Sequence, residues 1–532
     1  MDQAIQWDTI VVGGGSAGCV VAARLSADER RKVLLIEAGP RDINLMFRVP
    51  AGNFRILGDP RYDWCYETEP EPNLNGRRIA WPRGKVLGGS SAVNGLIAIR
   101  GHRDDYDGWA ALGCAGWSWR DVLPYFLRLE DFEPGSSELH GVGGPLPLST
   151  ARGRHPICDA YLKAARDRLQ LEETHDHNGP SQDGAGYYHV NVSRGLIPSR
   201  VSAARAYLAK KRQNLQIVTD ALVERIIFSG LRATGVIYQA GGFSRVASAR
   251  TVVLAAGVIG SPQLLQMSGI GDPALLQSLG IEVVRAVPAV GENLQDHLQT
   301  WMVHRVNVKT VNDKVRTIFG KFRTAFEGLL MQTGAYYGVT NFGMFVRTQA
   351  SARRPDAQFH VHPASGSFRE PHPFSGVTIG ACHLRPESRG SIRIESRDAH
   401  VPPSIRANYL DAEHDRQVMV DILKICRDLA DHPAVRGYIV EERQPGPGVR
   451  SDEQLLDYVR NYCGTTYHPV GTCRMGADDA AVVDARLRVR GIDGLYVVDA
   501  SIMPTIVSGN THVPTVMIGE KAADMISEDD RS

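Results

Sequence analysis

The stretch TIVVGGGSAGCVVAARL, Thr9 to Leu25, constrains the fold more than any other part of the chain. It fits two patterns at once. Gly13, Gly15 and Gly18 give G-x-G-x-x-G, a turn whose backbone amides approach a dinucleotide phosphate; Gly14, Ser16 and Gly18 give G-x-S-x-G, the elbow that presents a serine nucleophile. The flanks separate the two. DTIVV is a short apolar strand, SAGCVVAARL carries Val20, Val21, Ala23 and Leu25 at helical spacing, and RRKVLLIEAG is a second apolar strand closing on Glu37. A carboxylate at the end of the second strand stands where a ribose hydroxyl is bound in a dinucleotide-binding βαβ unit. The elbow reading gives Glu37 no task and puts Ser16 after the very first strand, whereas a hydrolase elbow comes after several. Ser16 therefore reads as a small residue at a helix N-terminus beside phosphate.

With 532 residues the chain is long enough for two to four domains, each burying its own core. Its 60 basic and 59 acidic residues create no global field for nucleic acid or an anionic surface, so small, weakly charged partners fit better. The eight cysteines are scattered with no C-x-x-C spacing, so free thiols are expected and no metal site. MDQAIQWD has neither a basic cluster nor an apolar core, and no apolar run is long enough to span a bilayer. The expectation is a soluble cytoplasmic protein.

Further blocks extend the first. Trp81 to Gly113 reads WPRGKVLGGSSAVNGLIAIRGHRDDYDGWAALG, Gly257 to Gly271 reads GVIGSPQLLQMSGIG, and the last third holds YHPVGTCRMG and GLYVVDASIMPTIVSGNTHVPTVMIGEKAADMI. GGSS behind Arg83 and Lys85 offers amides, hydroxyls and positive charge, a second wall for a pyrophosphate. RTVVLAAGVIGSPQLLQMSG reads as a strand, a glycine turn and a helix with Ser261 and Pro262 at its start. Together the blocks resemble the glucose-methanol-choline (GMC) family of flavin oxidoreductases. One signature is similar to Gly84–Asn94 and another to Gly257–Gly271, with Val258 where a smaller residue is usual.

The resemblance implies an FAD site built from Gly13, Gly15, Ser16, Ala17, Gly18, Glu37 and Ala38, from Arg83, Val86, Gly88, Gly89, Ser90, Asn94 and Gly95, from Val223, and from Asp499, Ala500, Asn510, His512 and Val513. It also places GENLQDH, Gly291 to His297, near the flavin. The histidine that carries covalent flavin in some relatives is Val93 here, which has no nucleophilic atom; FAD is expected to be held without a covalent bond.

Oxidising an alcohol needs a group to take the hydroxyl proton while hydride leaves the same carbon, and neutral histidine suits that task. His468 precedes PVGTCRMG, a turn able to hold a side chain against a ring. His512 stands just before Pro514 at the start of a helical pattern, so a positive helix end faces whatever His512 touches. The resemblance makes His468 the base and His512 its partner, with Asn510 a flavin or backbone contact and Asp499 and Ala500 near the pyrophosphate.

Between about Trp301 and Ile439 strand-like runs dominate, among them DAQFHVHPA, GVTIGACHL and GSIRIESRD, and suggest an antiparallel roof. His360 and His362 fall on one face of their strand and are candidates to line a substrate pocket. VRTIFGKFRTAFEGLLMQTGAYYGVTNFGMFV supplies aromatic and Met residues for a substrate entrance or a core. Choline-specific relatives carry a glutamate in that neighbourhood, and Asn341 aligns there. The fold expected is α/β, in two α+β domains. A discontinuous Rossmann-like FAD-binding domain covers 1–155, 210–300 and 455–532, and an inserted substrate domain on a mostly antiparallel sheet covers 156–209 and 301–454. The expected reaction takes a primary, neutral, possibly aromatic alcohol to its aldehyde, with oxygen or an electron carrier as final acceptor. The alternatives are a choline dehydrogenase-like activity, a hydroxynitrile lyase or a fatty acid photodecarboxylase on the same fold.

Overall fold

The computed structural model describes residues 6–195, 197–316, 342–367 and 370–531. Two seven-stranded sheets organise them. In the first, Gln6–Val12 pairs in parallel with Val33–Ile36 on one side and with the second half of Phe243–Leu254 on the other. Leu215–Val218 extends this parallel part, and Leu495–Val497 joins the end of Phe243–Leu254. Ala221–Ser229, Arg232–Ala240 and the first half of Phe243–Leu254 form an antiparallel meander. Ile10, Val11 and Val33 to Ile36 are buried on both faces, which is why these strands read as continuous apolar runs instead of alternating.

The helix Ser16–Leu25 follows the first strand directly, and the C-terminal helix His512–Asp529 lies against it. A Cβ on Gly519 would stand 3.0 Å from both the Ala17 carbonyl oxygen and Val20 Cβ, so the two helices meet with almost no side chain between them. The next residue, the fully buried Glu520, accepts hydrogen bonds from Arg24 and Tyr207 and pairs with Arg128 at 2.8 Å.

The second sheet runs in the order Ile439–Gln444, Leu298–Val306, Gly376–His383, Ala357–His362, Phe342–Val346, Gly184–Tyr187, with every pairing antiparallel. Leu298–Val306 crosses the boundary expected at residue 300, and Gly464–Thr465 pairs with it from within the stretch expected to belong to the first domain. The helix Glu413–Asp431 packs on this sheet through Val418, Ile422, Cys426 and Leu429, one stripe at helical spacing.

One element begins earlier than its sequence suggests. The helix after Phe243–Leu254 spans Gly257–Met267, so Ser261 and Pro262 lie inside it and not at its start. Proline cannot donate to the carbonyl four residues back, and here the freed Val258 carbonyl accepts the Thr472 hydroxyl at 2.7 Å. The helix start is held instead by Asp499, which accepts from the Gly257 amide at 2.9 Å and the Ser261 hydroxyl at 2.6 Å. All eight cysteines are free thiols, and no helix among the described residues is long and apolar enough to cross a membrane.

Candidate active site

A cavity of about 790 Å³ runs between the two sheets, within the range of small-molecule sites. Its first end is the glycine turn. Gly13 has φ +98°, and a Cβ there would sit 2.5 Å from the Ala255 carbonyl oxygen. Gly89 comes so close that its Cβ would meet Gly15 Cα at 2.7 Å, and the Gly88 amide donates to the Gly14 carbonyl at 2.7 Å. The two glycine loops therefore touch. Glu37 accepts from the Gly14 amide at 2.7 Å and the Gly39 amide at 2.8 Å, and burial pushes its carboxyl up to about 7 against those two amides. Gly13, Gly15, Ser16, Ala17, Glu37, Ala38, Gly89, Ser90, Asn94, Gly95, Val223, Asp499 and Ala500 line the cavity; Gly18, Val86, Gly88 and Val513 stand behind its wall.

Arg83 lines the cavity. Its guanidinium donates to the Tyr467 carbonyl at 2.8 Å, beside the candidate base. Asp499 spends its carboxylate on the helix start described above and on the Ser501 amide at 2.8 Å.

At the other end His468 is held from every side. Its amide donates to Asp296, which also accepts from Thr465 and Tyr409. Thr466 gives its hydroxyl proton to the His297 carbonyl at 2.9 Å, which leaves an oxygen lone pair facing His468 Nδ1 at 3.0 Å. His297 Nε2 faces the Leu384 carbonyl, so that nitrogen carries the proton and His297 Nδ1, 3.1 Å from His468 Nδ1, is an acceptor. Two acceptors at one nitrogen put the proton on His468 Nδ1. His468 Nε2 is then the acceptor, and Asn510 Nδ2 donates to it at 3.2 Å. Gln358 Nε2 fixes that amide by donating to Asn510 Oδ1 at 3.1 Å. Burial, then the fields of His297, Arg83 and His360, hold His468 well below the usual histidine range, so it is neutral and able to take a proton.

In the structure Asn510 stands against His468, and His512 contacts Ser16. It opens the C-terminal helix, its Nδ1 is 3.0 Å from Ser16 Oγ, and its buried Nε2 has no partner among the described residues. Burial and then Arg200 push it down to about 4. Ser16 and His512 form a Ser–His contact, but among the described residues no carboxylate orients the imidazole as a nucleophilic triad requires. An orphaned imidazole nitrogen on the cavity wall, together with glycine loops that any Cβ would block, is what a site for a bound dinucleotide needs.

His360 and His362 share a face of Ala357–His362, with ring centroids 6.1 Å apart, and both line the cavity near His468. His360 Nδ1 is buried without a partner among the described residues, and burial pushes the ring down to about 3. Asn341 lies outside the described residues, as does most of the aromatic stretch before it. Among the described residues the acidic side chains lining the cavity are Glu37 and Asp499, both committed to backbone amides. Thr466 and Gln358 carry no sequence signal of their own, and His297 enters only as the end of GENLQDH, the segment the resemblance places near the flavin.

Known proteins share this fold. The GMC oxidoreductase family descriptions match residues 7–299 and 386–519. The chain is 41% identical to an oxygen-dependent choline dehydrogenase of Escherichia coli O45:K1 (strain S88 / ExPEC), covering 98% of this chain and 94% of that protein. Pyridoxine 4-oxidase from Mesorbium loti superposes with TM-score 0.89 at 32% identity, over 98% of this chain and 99% of that one. A formate oxidase of Aspergillus oryzae RIB40 superposes with TM-score 0.92 at 26% identity, over 99% of each. The chain belongs to the GMC oxidoreductase family, as an FAD-dependent enzyme acting on CH–OH groups.

Proposed function

We propose that the protein oxidises a neutral primary alcohol on an aromatic or heteroaromatic ring to the aldehyde, with FAD held non-covalently and His468 as base. The observation that carries this reading is His468 Nε2, a lone pair fixed toward the cavity by Thr466, His297 and Asn510. The substrate hydroxyl would donate to Nε2, displacing or sharing the Asn510 contact, and the imidazole would take its proton as the C–H bond breaks. Bound FAD supplies the two-electron acceptor for the departing hydride at its N5. Gly13, Gly15, Ser16 and Glu37 would hold its ADP half, and Gly89, Ser90, Asn94, Asn510 and His512 the remainder. The valine at position 93, buried in the cavity wall, supports non-covalent binding. Oxygen or an electron carrier would then accept the electrons.

Neutral His360 and the absence of an uncommitted carboxylate among the described lining residues favour an uncharged substrate; a trimethylammonium group would find no counterion there. The pyridoxine oxidase likeness agrees with this. The 41% identity to a choline dehydrogenase favours a second reading, choline itself. Anaerobic mixing of the yellow holoenzyme with pyridoxine, benzyl alcohol and choline, followed by admission of air, separates them. Flavin absorbance should fall with the ring alcohols and hold with choline. Faster bleaching by choline would overturn the substrate class, and unchanged absorbance with every alcohol would overturn the redox reading itself.

A further inference from the structure

Two arginines are among the largest fully buried side chains, and they are treated differently. Arg100 faces the Glu130 carboxylate at 2.5 Å. Arg200 has no carboxylate within ion-pair distance among the described residues. Its Nη1 donates to Asn94 Oδ1 at 2.8 Å and its Nη2 to the Pro50 carbonyl, both neutral acceptors, while Nε has no partner among the described residues. Its own backbone is pinned, the amide on the Arg48 carbonyl at 2.8 Å and the carbonyl under the Arg205 guanidinium at 2.6 Å. A buried ion without a counterion is costly, and chains retain such groups where a charge arrives to meet them. Asn94, its hydrogen-bond partner, lines the cavity, and His512, which also lines it, feels the Arg200 field. Burial pushes the guanidinium down only to about 9, so it stays cationic at neutral pH.

We propose that Arg200 is the built-in countercharge for an anionic group of the bound cofactor, acting through the wall formed by Asn94 and His512. The inference rests on the reading that this cavity holds FAD. Two groups of FAD have the required chemistry, the diphosphate, which is negative always, and the ring, which gains negative charge on reduction. Arg200 is a positioning residue in this account, since it reaches the cavity through Asn94 and through its field.

The test uses the holoenzyme and two variants, Arg200→Gln, which keeps hydrogen bonding and removes charge, and Arg200→Lys, which keeps charge and loses the planar fork. FAD affinity is read by flavin fluorescence and the midpoint potential by anaerobic dye equilibration. Arg200→Gln should bind FAD at least tenfold more weakly in one or both redox states, with Arg200→Lys within threefold of the parent. Equal weakening of both states, with the potential unchanged, assigns the charge to the diphosphate. Tenfold weakening confined to the reduced state lowers the potential by about 30 mV and assigns it to the ring. Arg200→Gln within threefold of the parent in both states overturns the proposal, as does an Arg200→Lys variant as impaired as Arg200→Gln. If Arg200→Gln does not fold, Arg200→Lys decides by the same threefold criterion. A parent protein that binds no FAD would instead sink the cofactor reading, which keeps the two failures apart.

Discussion

Gly18→Ala is the smallest change that should dismantle the cofactor turn. Gly18 lies in the first turn of Ser16–Leu25, and a Cβ there would stand 1.9 Å from the Gly13 carbonyl oxygen and 3.1 Å from Ala255 Cβ. The first distance is about 1.6 Å short of the ~3.5 Å at which non-bonded atoms rest. Neither partner is the free end of a side chain, so the helix start must move away from the glycine turn. Overpacking of this kind costs about 1–3 kcal/mol, and with a backbone oxygen as the obstacle we place it near the top of that range. The helix-start backbone at Gly15, Ser16 and Ala17 shifts with it, and a displacement on the order of 1 Å in a positioned site costs about a hundredfold. Gly18→Ala should therefore fold with a lowered melting temperature and bind FAD at least about a hundredfold more weakly, read as flavin absorbance per protein and by fluorescence titration. Gly108→Ala is the control. That glycine sits in the helix Arg103–Ala111 with nothing within 4 Å of its Cβ position, so alanine should add about 0.5–1 kcal/mol of stability and leave FAD binding alone. A Gly18→Ala protein with FAD affinity within threefold of the parent would refute the reasoning.

Two further outcomes follow from buried charge. His140 sits with Nδ1 3.0 Å from Glu130 and Nε2 2.8 Å from Asp176; burial alone would lower it, but the two carboxylates raise it above the ordinary histidine value. A raised folded-state value means the stabilisation is full below the unfolded value of about 6.5 and is lost as pH rises through the folded one, so urea midpoints should fall from pH 6 to pH 9 and this part of the slope should vanish in His140→Gln. Glu520→Gln leaves Arg24 and Arg128 without their shared carboxylate. Because each guanidinium is about a third exposed, the loss belongs at the low end of the range for breaking a buried pair, about 3 kcal/mol, and an unchanged thermal unfolding curve would contradict the packing described for the two helices.

Local signals in the sequence were strong where backbone geometry alone does the work. The glycine turn, the acid at Glu37 and the apolar parallel strands follow from residues adjacent in the chain, and the structure places them together as the pattern requires. Ser261 and Pro262 look like cap chemistry and suggest a helix start later than the one at Gly257. What makes them tolerable inside the helix is the Thr472 hydroxyl, a partner from a distant segment. The surroundings of His468 were hidden for the same reason. Tyr467 adopts φ +66°, a left-handed turn immediately before His468 that no motif announces, and Asn510 and His297 reach the ring from two distant segments, with Gln358 behind Asn510. His512, the residue its helix makes conspicuous, turns toward Ser16, which lines the cavity with it.

The most direct test of the account is the rate at which alcohol reduces the flavin anaerobically in His468→Ala. The variant should remain yellow with FAD bound, since the ring of His468 contacts Thr466, His297 and Asn510 and not the glycine turn, and its limiting reduction rate should fall by at least about a hundredfold, the scale of a lost general base. Reduction at a near-parental rate would show that the proton leaves by another route and that the fixed lone pair on His468 is not the base.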